Sequence, residues 1–326
     1  MPVIADDFLD SVIYLYRSEF EAKEGENAGG SGFLVSVPSQ NPNLGPNGGY
    51  LFAVTNRHVI DEGATVARLN TADGGFDVFP FPKSRWVPSA TDDLAVCPMP
   101  LIDGAQFRFK AVPTKHFLRK EHIADWGIGP GDTAFMVGRF INHEGIQRNQ
   151  PTVRFGSIAQ MPWEPIRYEL GGKTHDQESF LVEVRSIGGY SGSPVFLFVD
   201  PLYHRDEKKS ISRDRNTWLL GIDWGHIRDW VTLHSQDRKP MTNAAQVPLN
   251  TGVAGVIPAW KLLELLEIDS LKKGMKQAED DFIARRAVPG AVADSISPPA
   301  TDENPTHRED FNSLVGAAAR KREQED

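Results

Sequence analysis

At 326 residues, of which 40% are hydrophobic and 24% charged, the chain is long enough to bury one large core or two medium ones and is no tail, peptide or fibre. Its 35 Lys and Arg against 44 Asp and Glu leave a formal net charge of -9, which repels phosphate backbones and anionic lipid, so neither nucleic acid nor a membrane surface is expected as a partner. A single cysteine, Cys97, excludes a disulfide scaffold.

Taken in order, the chain opens with Asp6 and Asp7 where a secretory signal needs basic residues before an apolar stretch, so no export signal is read. No window approaches the roughly 18 uninterrupted apolar residues of a spanning helix. With one reduced thiol, this points to a soluble, cytoplasmic protein. Short β-like runs then dominate the first 260 residues: Ser11–Tyr16, Gly32–Val37, Tyr50–Thr55, Asp93–Val96, Thr133–Val137, Phe180–Val184, Ser193–Val199, Trp218–Ile222 and Gly252–Ile257. Gly, Pro and Asn clusters such as Gln40–Gly49 separate them, a pattern that predicts an all-β barrel or sandwich rather than alternating βαβ units.

A helix is expected over about 258–270, with Trp260, Leu263, Leu266 and Ile268 near one face. From Lys273 the composition turns to Ala, Asp, Glu, Pro and Ser, which predicts a disordered tail over 273–326. Within it, Thr306-His-Arg-Glu309 has capping-box spacing. Phe311, Leu314, Val315 and Ala318 follow at helical spacing before Arg320-Lys-Arg322, so a short amphipathic helix over 307–322, able to dock on a protein partner, is a candidate.

Three segments carry chemistry: Thr55-Asn-Arg-His58-Val-Ile, Thr91-Asp-Asp93-Leu-Ala-Val and Gly188-Gly-Tyr-Ser191-Gly-Ser-Pro. A serine hydroxyl is a weak nucleophile at neutral pH and needs an imidazole base, itself oriented by a buried carboxylate; His58, an aspartate of the Asp92-Asp93 pair and Ser191 supply those groups. Glycines around the serine allow a tight turn whose Gly189 and Ser191 N–H groups can hold an oxyanion. The order His, Asp, Ser differs from the Ser, acid, His order of α/β-hydrolases. The histidines show no metal-ligand spacing, so neither a metal nor a cofactor is expected.

On these residues, with Gly30-Ser-Gly-Phe-Leu-Val before the histidine segment and Leu220-Gly-Ile after the serine strand, the chain resembles the trypsin/chymotrypsin-like serine proteases over roughly residues 10 to 270. It is most similar to their disulfide-free bacterial branch, which includes the HtrA-type enzymes, although no PDZ-like region follows. The resemblance implies a chymotrypsin-like double six-stranded antiparallel β-barrel with a C-terminal helix: a first barrel over about 10–115, a second over about 130–258, and a protease domain of 1–272. It also selects Asp93, which abuts the Leu-Ala-Val strand, as the acid. Arg185, Trp224, Gly225 and His226 fall where this family lines its specificity pocket, with Asp223 shifting the Trp-Gly register. Tyr190 stands where zymogen-type members carry an aspartate that pairs with a cut N-terminus.

The function so implied is a serine endopeptidase acting on polypeptides through an acyl-enzyme, in bacterial quality control, stress or defence. The alternatives are a silent protease-like binding module that recruits a partner through its tail, and an esterase using the same triad.

Overall fold

The computed structural model describes residues 4–44, 48–100, 104–140, 145–170, 173–184, 189–199, 216–232 and 246–287. The first half runs α1 (Asp6–Leu9), β1 (Val12–Tyr16), α2 (Glu19–Glu24), β2 (Gly30–Pro38), β3 (Gly49–Thr55), α3 (Arg57–Asp61), β4 (Val66–Asn70), β5 (Phe76–Pro80), β6 (Val87–Pro88), β7 (Ala95–Pro98) and β8 (Val112–Pro113). The second half runs α4 (Lys120–Asp125), β9 (Thr133–Gly138), β10 (Thr152–Gln160), β11 (Ile166–Leu170), β12 (Lys173–Gln177), β13 (Phe180–Glu183), β14 (Pro194–Phe198), β15 (Thr217–Thr232), β16 (Gln246–Pro258), α5 (Ala259–Leu266) and α6 (Asp269–Ala287).

The fold is all-β, with helices confined to short connections and the C-terminal end. Strands β10-β13-β16-β15-β14-β9 close a six-stranded antiparallel barrel, and β11 pairs with β12 as a separate hairpin. The first half forms an eight-stranded sheet in the order β5-β4-β1-β2-β3-β7-β6, with β8 pairing parallel to β2. Where the resemblance implies a first six-stranded barrel, this half is a sheet of six strands of four or more residues with the two-residue strands β6 and β8 added.

Most core strands read as continuous apolar runs rather than alternating ones, because both of their faces are covered. In a strand successive side chains point to opposite sides. In β1, Ile13 and Leu15 enter one cluster with Leu34, Ala53 and Val59, while Tyr14 and Tyr16 enter another. In β9, Met136 faces the barrel interior with Ile158 and Val182, whereas Phe135 and Val137 face the same shared cluster as Tyr14. Each half thus has its own interior, and a third apolar layer, which holds Phe33, Val54, Phe135, Phe196 and Leu219, joins them. All nine β-like runs carry strand residues. β4, β5 and β10 to β12 escape the sequence pattern, since residues such as Arg68 and Arg154 interrupt their apolar character.

Helix α5 buries Trp260, Leu262, Leu265 and Leu266. Leu263 and Ile268, expected on one face with Trp260 and Leu266, are half-buried and pack against the joining core, to which Leu262 and Leu265 also belong. One expectation at the C-terminal end is corrected. The chain beyond 272 does not become a linker at once, because α6 continues to Ala287. That segment is built from strong helix formers (Lys, Gln, Ala, Glu, Met), and Gln277 donates to Asp281 at 2.8 Å one turn on. Leu271 is buried, and Ser39 donates to Glu279 at 2.6 Å, which seats the helix on the first half. The rest of the expected disordered tail and the helix over 307–322 lie outside the described residues. Among the described residues no helix is long and apolar enough to cross a membrane.

Phe135 sits at the centre of the joining layer, stacked on Phe196 at 5.2 Å and edge-on to Phe8 at 5.5 Å. Phe135→Ala is expected to lower folding stability by about 3–5 kcal/mol in urea unfolding, the cost of deleting a fully packed aromatic ring. A loss below about 1 kcal/mol would show that the layer does not hold the two halves together.

Candidate active site

His58 lies in the first turn of α3, immediately after β3. Asp93 lies in the loop leading to β7, the strand that pairs with β3. The sheet therefore delivers the two segments side by side. The Asp93 carboxylate accepts from the His58 backbone N–H through Oδ1 at 2.9 Å and meets the ring Nδ1 through Oδ2 at 2.6 Å. One carboxylate thus fixes both the helix turn and the imidazole plane. With the Nδ1 proton committed to Asp93, Nε2 is left with its lone pair outward, the form a general base needs.

The loop that carries Asp93 is itself held from both sides. Asn56 Nδ2 donates to the Asp93 carbonyl at 2.9 Å, and the Asp93 N–H donates to Gln177 Oε1 at 2.9 Å. Gln177, at the end of β12 in the other half, donates in turn to Asp92 Oδ1 at 2.8 Å. Asp92 also accepts from Thr91 Oγ1 at 2.7 Å and lies 3.9 Å from Lys261 Nζ. The two adjacent aspartates therefore differ completely: Asp93 holds His58, and Asp92 ties the loop to β12 and α5.

Ser191 sits in the turn before β14. Its carbonyl accepts from Ser31 N–H at 2.9 Å, the Gly192 N–H donates to the Asp223 carbonyl at 2.8 Å, and the Asp223 N–H donates to the Ser193 carbonyl at 2.9 Å. The turn is thus clamped between β2 of the first half and β15 of the barrel. Gly192 needs to be glycine twice over: its φ is +86°, and a Cβ would collide with the Ser31 carbonyl and Thr55 Oγ1. Gly189, at φ +93°, is packed under the Arg139 guanidinium in the same way. Gly30 joins the parts, since its Cα lies between Val59, next to His58, and the Ser191 carbonyl. Among the described residues no hydrogen bond joins the Ser191 hydroxyl to His58; in resting sites this contact is often long and tightens with substrate.

Burial opposes a charge on His58, but the hydrogen bond and charge of Asp93, with Glu62 and Asp223 adding to them, outweigh it and raise its pKa above the ordinary histidine value. Asp223 is wholly buried, and neither of its carboxyl oxygens has a hydrogen-bond partner among the described residues. Burial pushes it up to about 7; the Gly225 N–H, which falls short of a full hydrogen bond to it, and the His58 charge pull the other way. A buried acid one strand from the serine turn was not legible as such in the sequence, where Asp223 appeared only as a residue out of register before Trp224. Gln177 carried no signal either, and Tyr190 was marked only as standing where zymogen-type members carry an aspartate.

The expected pocket residues are partly in view. Trp224 donates its indole N–H to Ser179 Oγ at 2.8 Å, lies tilted against Tyr168 with ring centroids 4.4 Å apart and covers Gly255, where a Cβ would strike the ring. The β15–β16 register shifts between Asp223 and Gly225, the residues flanking Trp224. His226 pairs with Ala254 in the same ladder. Arg185 lies outside the described residues. Among the described residues no group of three His, Cys, Asp or Glu side chains converges as a metal site requires.

No known family's sequence pattern matches the chain, and no curated protein sequence does. Among solved structures, the active form of the Rv3671c protease from M. tuberculosis is similar at 15% identity over 79% of this chain and 80% of that one, with a TM-score of 0.42. Its inactive form gives 15%, 79%, 88% and 0.40. Catalytically inactive tobacco etch virus protease complexed with substrate gives 14%, 83%, 88% and 0.39. At these identities and scores the likeness adds nothing to what the chain's own barrel and side chains show.

Asp223 keeps its proton in the folded chain up to about pH 7, whereas an unfolded aspartate ionises near about 3.9. Between those values the folded state binds the extra proton, so this group makes stability fall as pH rises. Asp223→Asn is expected to match the wild type near about pH 4 and to exceed it at about pH 8 in urea midpoint. A variant that keeps the wild-type pH slope contradicts the assignment.

Proposed function

We propose that the protein is a serine endopeptidase. Ser191 Oγ attacks the scissile carbonyl while His58 Nε2 takes the hydroxyl proton; the carbonyl electron pair moves to oxygen, and the Gly189 and Ser191 N–H groups receive that oxyanion. Collapse of the intermediate breaks the C–N bond, and His58 returns the proton to the leaving amine. Water, deprotonated by the same imidazole, then releases the acyl group. Asp93 holds the ring and stabilises the imidazolium.

The observation that carries this reading is the two-point grip of Asp93 on His58, ring and backbone together, on strands that also pack against the serine turn. A histidine that merely fills space has no need of a buried carboxylate aligned with one ring nitrogen. The glycines at 189 and 192 support it, since both hold positive φ around the serine. Among the described residues neither the Gly189 nor the Ser191 N–H donates to any acceptor, which leaves both for an oxyanion.

The reading takes a polypeptide as substrate, with Trp224, Gly225, His226 and Arg185 as the pocket candidates, and needs no cofactor. It keeps the cytoplasmic setting, in quality control, stress or defence, expected from the sequence. Burial pushes the Cys97 pKa up to about 12, so it is a structural thiol rather than a nucleophile or a redox sensor.

Because the base must be neutral and the His58 pKa is raised, the acidic limb of the kcat/KM profile is expected to have its midpoint above about 6.5, the unperturbed histidine value. Asp93→Asn is expected to lower kcat about 10⁴-fold on a cleaved peptide, with the fold intact by circular dichroism. A wild-type protein that leaves a diverse peptide mixture uncut, or an Asp93→Asn variant as active as the wild type, contradicts the reading.

A further inference from the structure

We propose that Tyr190 is the positioning residue of the oxyanion-binding turn, its phenol clamped by Thr152 and Arg154 of β10 so that the flanking Gly189 and Ser191 N–H groups stay convergent. This inference rests on the endopeptidase reading. Tyr190 is the residue between the two donors, and its side chain points away from solvent, with 1% of its surface exposed. Arg154 Nε donates to the phenol oxygen at 2.7 Å, and Thr152 Oγ1 lies 2.7 Å from the same oxygen.

The direction of the chain follows from the donors. Arg154 can only donate, and Thr152 Oγ1 donates to the Gly138 carbonyl at 3.4 Å. The arrangement that gives both hydroxyl protons an acceptor sends the phenol proton to Thr152 and reads Arg154 to Tyr190 to Thr152 to Gly138. The ring is fixed as well. Arg154 lies 5.1 Å from its centroid, and a Cβ on Gly138 would press on the Tyr190 ring and collide with Ser193 Oγ. Gly138 and Thr152 are ladder partners of β9 and β10, so the clamp is built on two hydrogen-bonded barrel strands.

The main chain on each side of Tyr190 is tied down separately. The Tyr190 carbonyl accepts from Ser193 N–H at 2.8 Å, and the Gly189 carbonyl faces Ser31 Oγ at 3.4 Å and Arg139 Nε at 3.5 Å. With the side chain anchored as well, the turn has little freedom to rotate either donor out of place. Oxyanion stabilisation depends on donors that need no reorganisation as charge develops. The anchor's partners are side chains of the barrel itself.

The test is Tyr190→Phe in the full chain, which keeps the ring and removes the phenol, with Thr152→Val as a second variant that removes the acceptor only. A fluorophosphonate needs the same nucleophile and oxyanion donors whatever the peptide preference, and its inactivation kinetics separate binding (KI) from chemistry (kinact). Losing one oxyanion donor outright costs about 10²–10³-fold, so a loosened one is expected to lower kinact about 10- to 100-fold with KI within about threefold of the wild type. Thr152→Val is expected to lower kinact less, and the double variant no more than Tyr190→Phe alone, since both act on one chain of hydrogen bonds. Rates are taken per folded molecule, well below each variant's unfolding midpoint. Folded Tyr190→Phe with unchanged kinact, or a loss carried by KI, overturns the inference while leaving the endopeptidase reading intact. If Tyr190→Phe does not fold, an unchanged kinact in Thr152→Val overturns it. A folded wild type that is never labelled overturns both.

Discussion

A buried carboxylate needs donors on its oxygens, and among the described residues both oxygens of Asp93 meet His58, one on the backbone N–H and the other on the ring. Much of the surrounding architecture serves that contact. The β3–β7 pairing brings the two segments together, Asn56 holds the Asp93 carbonyl, and Gln177 reaches across from the other half to hold both Asp92 and the Asp93 N–H. The joining apolar layer matters to chemistry for this reason. If the halves shifted, Gln177 would leave the acid loop and Ser31 would leave the serine turn.

Asp223 shows the opposite arrangement. It is as deeply placed as any residue of the site, yet its oxygens lack hydrogen bonds among the described residues, so burial drives it towards the neutral acid. Two carboxyl groups near one imidazole thus live in different surroundings, one with donors on both oxygens and one whose burial favours the neutral acid. Asp223 also adds to the rise in the His58 pKa.

The fold was legible where physics repeats along the chain. Strands covered on both faces read as unbroken apolar runs, and glycines at 189 and 192 announced a tight turn around Ser191. What escaped was what depends on distant residues. Gln177 lies 84 residues from Asp93 in sequence, and no local pattern marks a glutamine as the link between two aspartates. Asp92 and Asp93 are indistinguishable by residue type; only the resemblance favoured Asp93, and their partners separate them. Arg68 and Arg154 hid the strands that carry them, since a charged residue inside a strand breaks its apolar run; Arg68 is buried with its guanidinium donating to the Gly145 and Ile146 carbonyls, and the half-buried Arg154 donates to Tyr190. Helix α6 was missed because charge-rich composition reads as a linker until Leu271 and Glu279 are seen in contact with the body.

The central claim is that Asp93, His58 and Ser191 form one activated nucleophile. The most direct measurement is intact-protein and peptide mass spectrometry after exposure to a fluorophosphonate, on the wild type and on His58→Ala and Ser191→Ala. The account requires a single adduct on Ser191 in the wild type, none in Ser191→Ala, and labelling slowed by orders of magnitude in His58→Ala. An adduct elsewhere, or labelling of Ser191 at the same rate without His58, would contradict it.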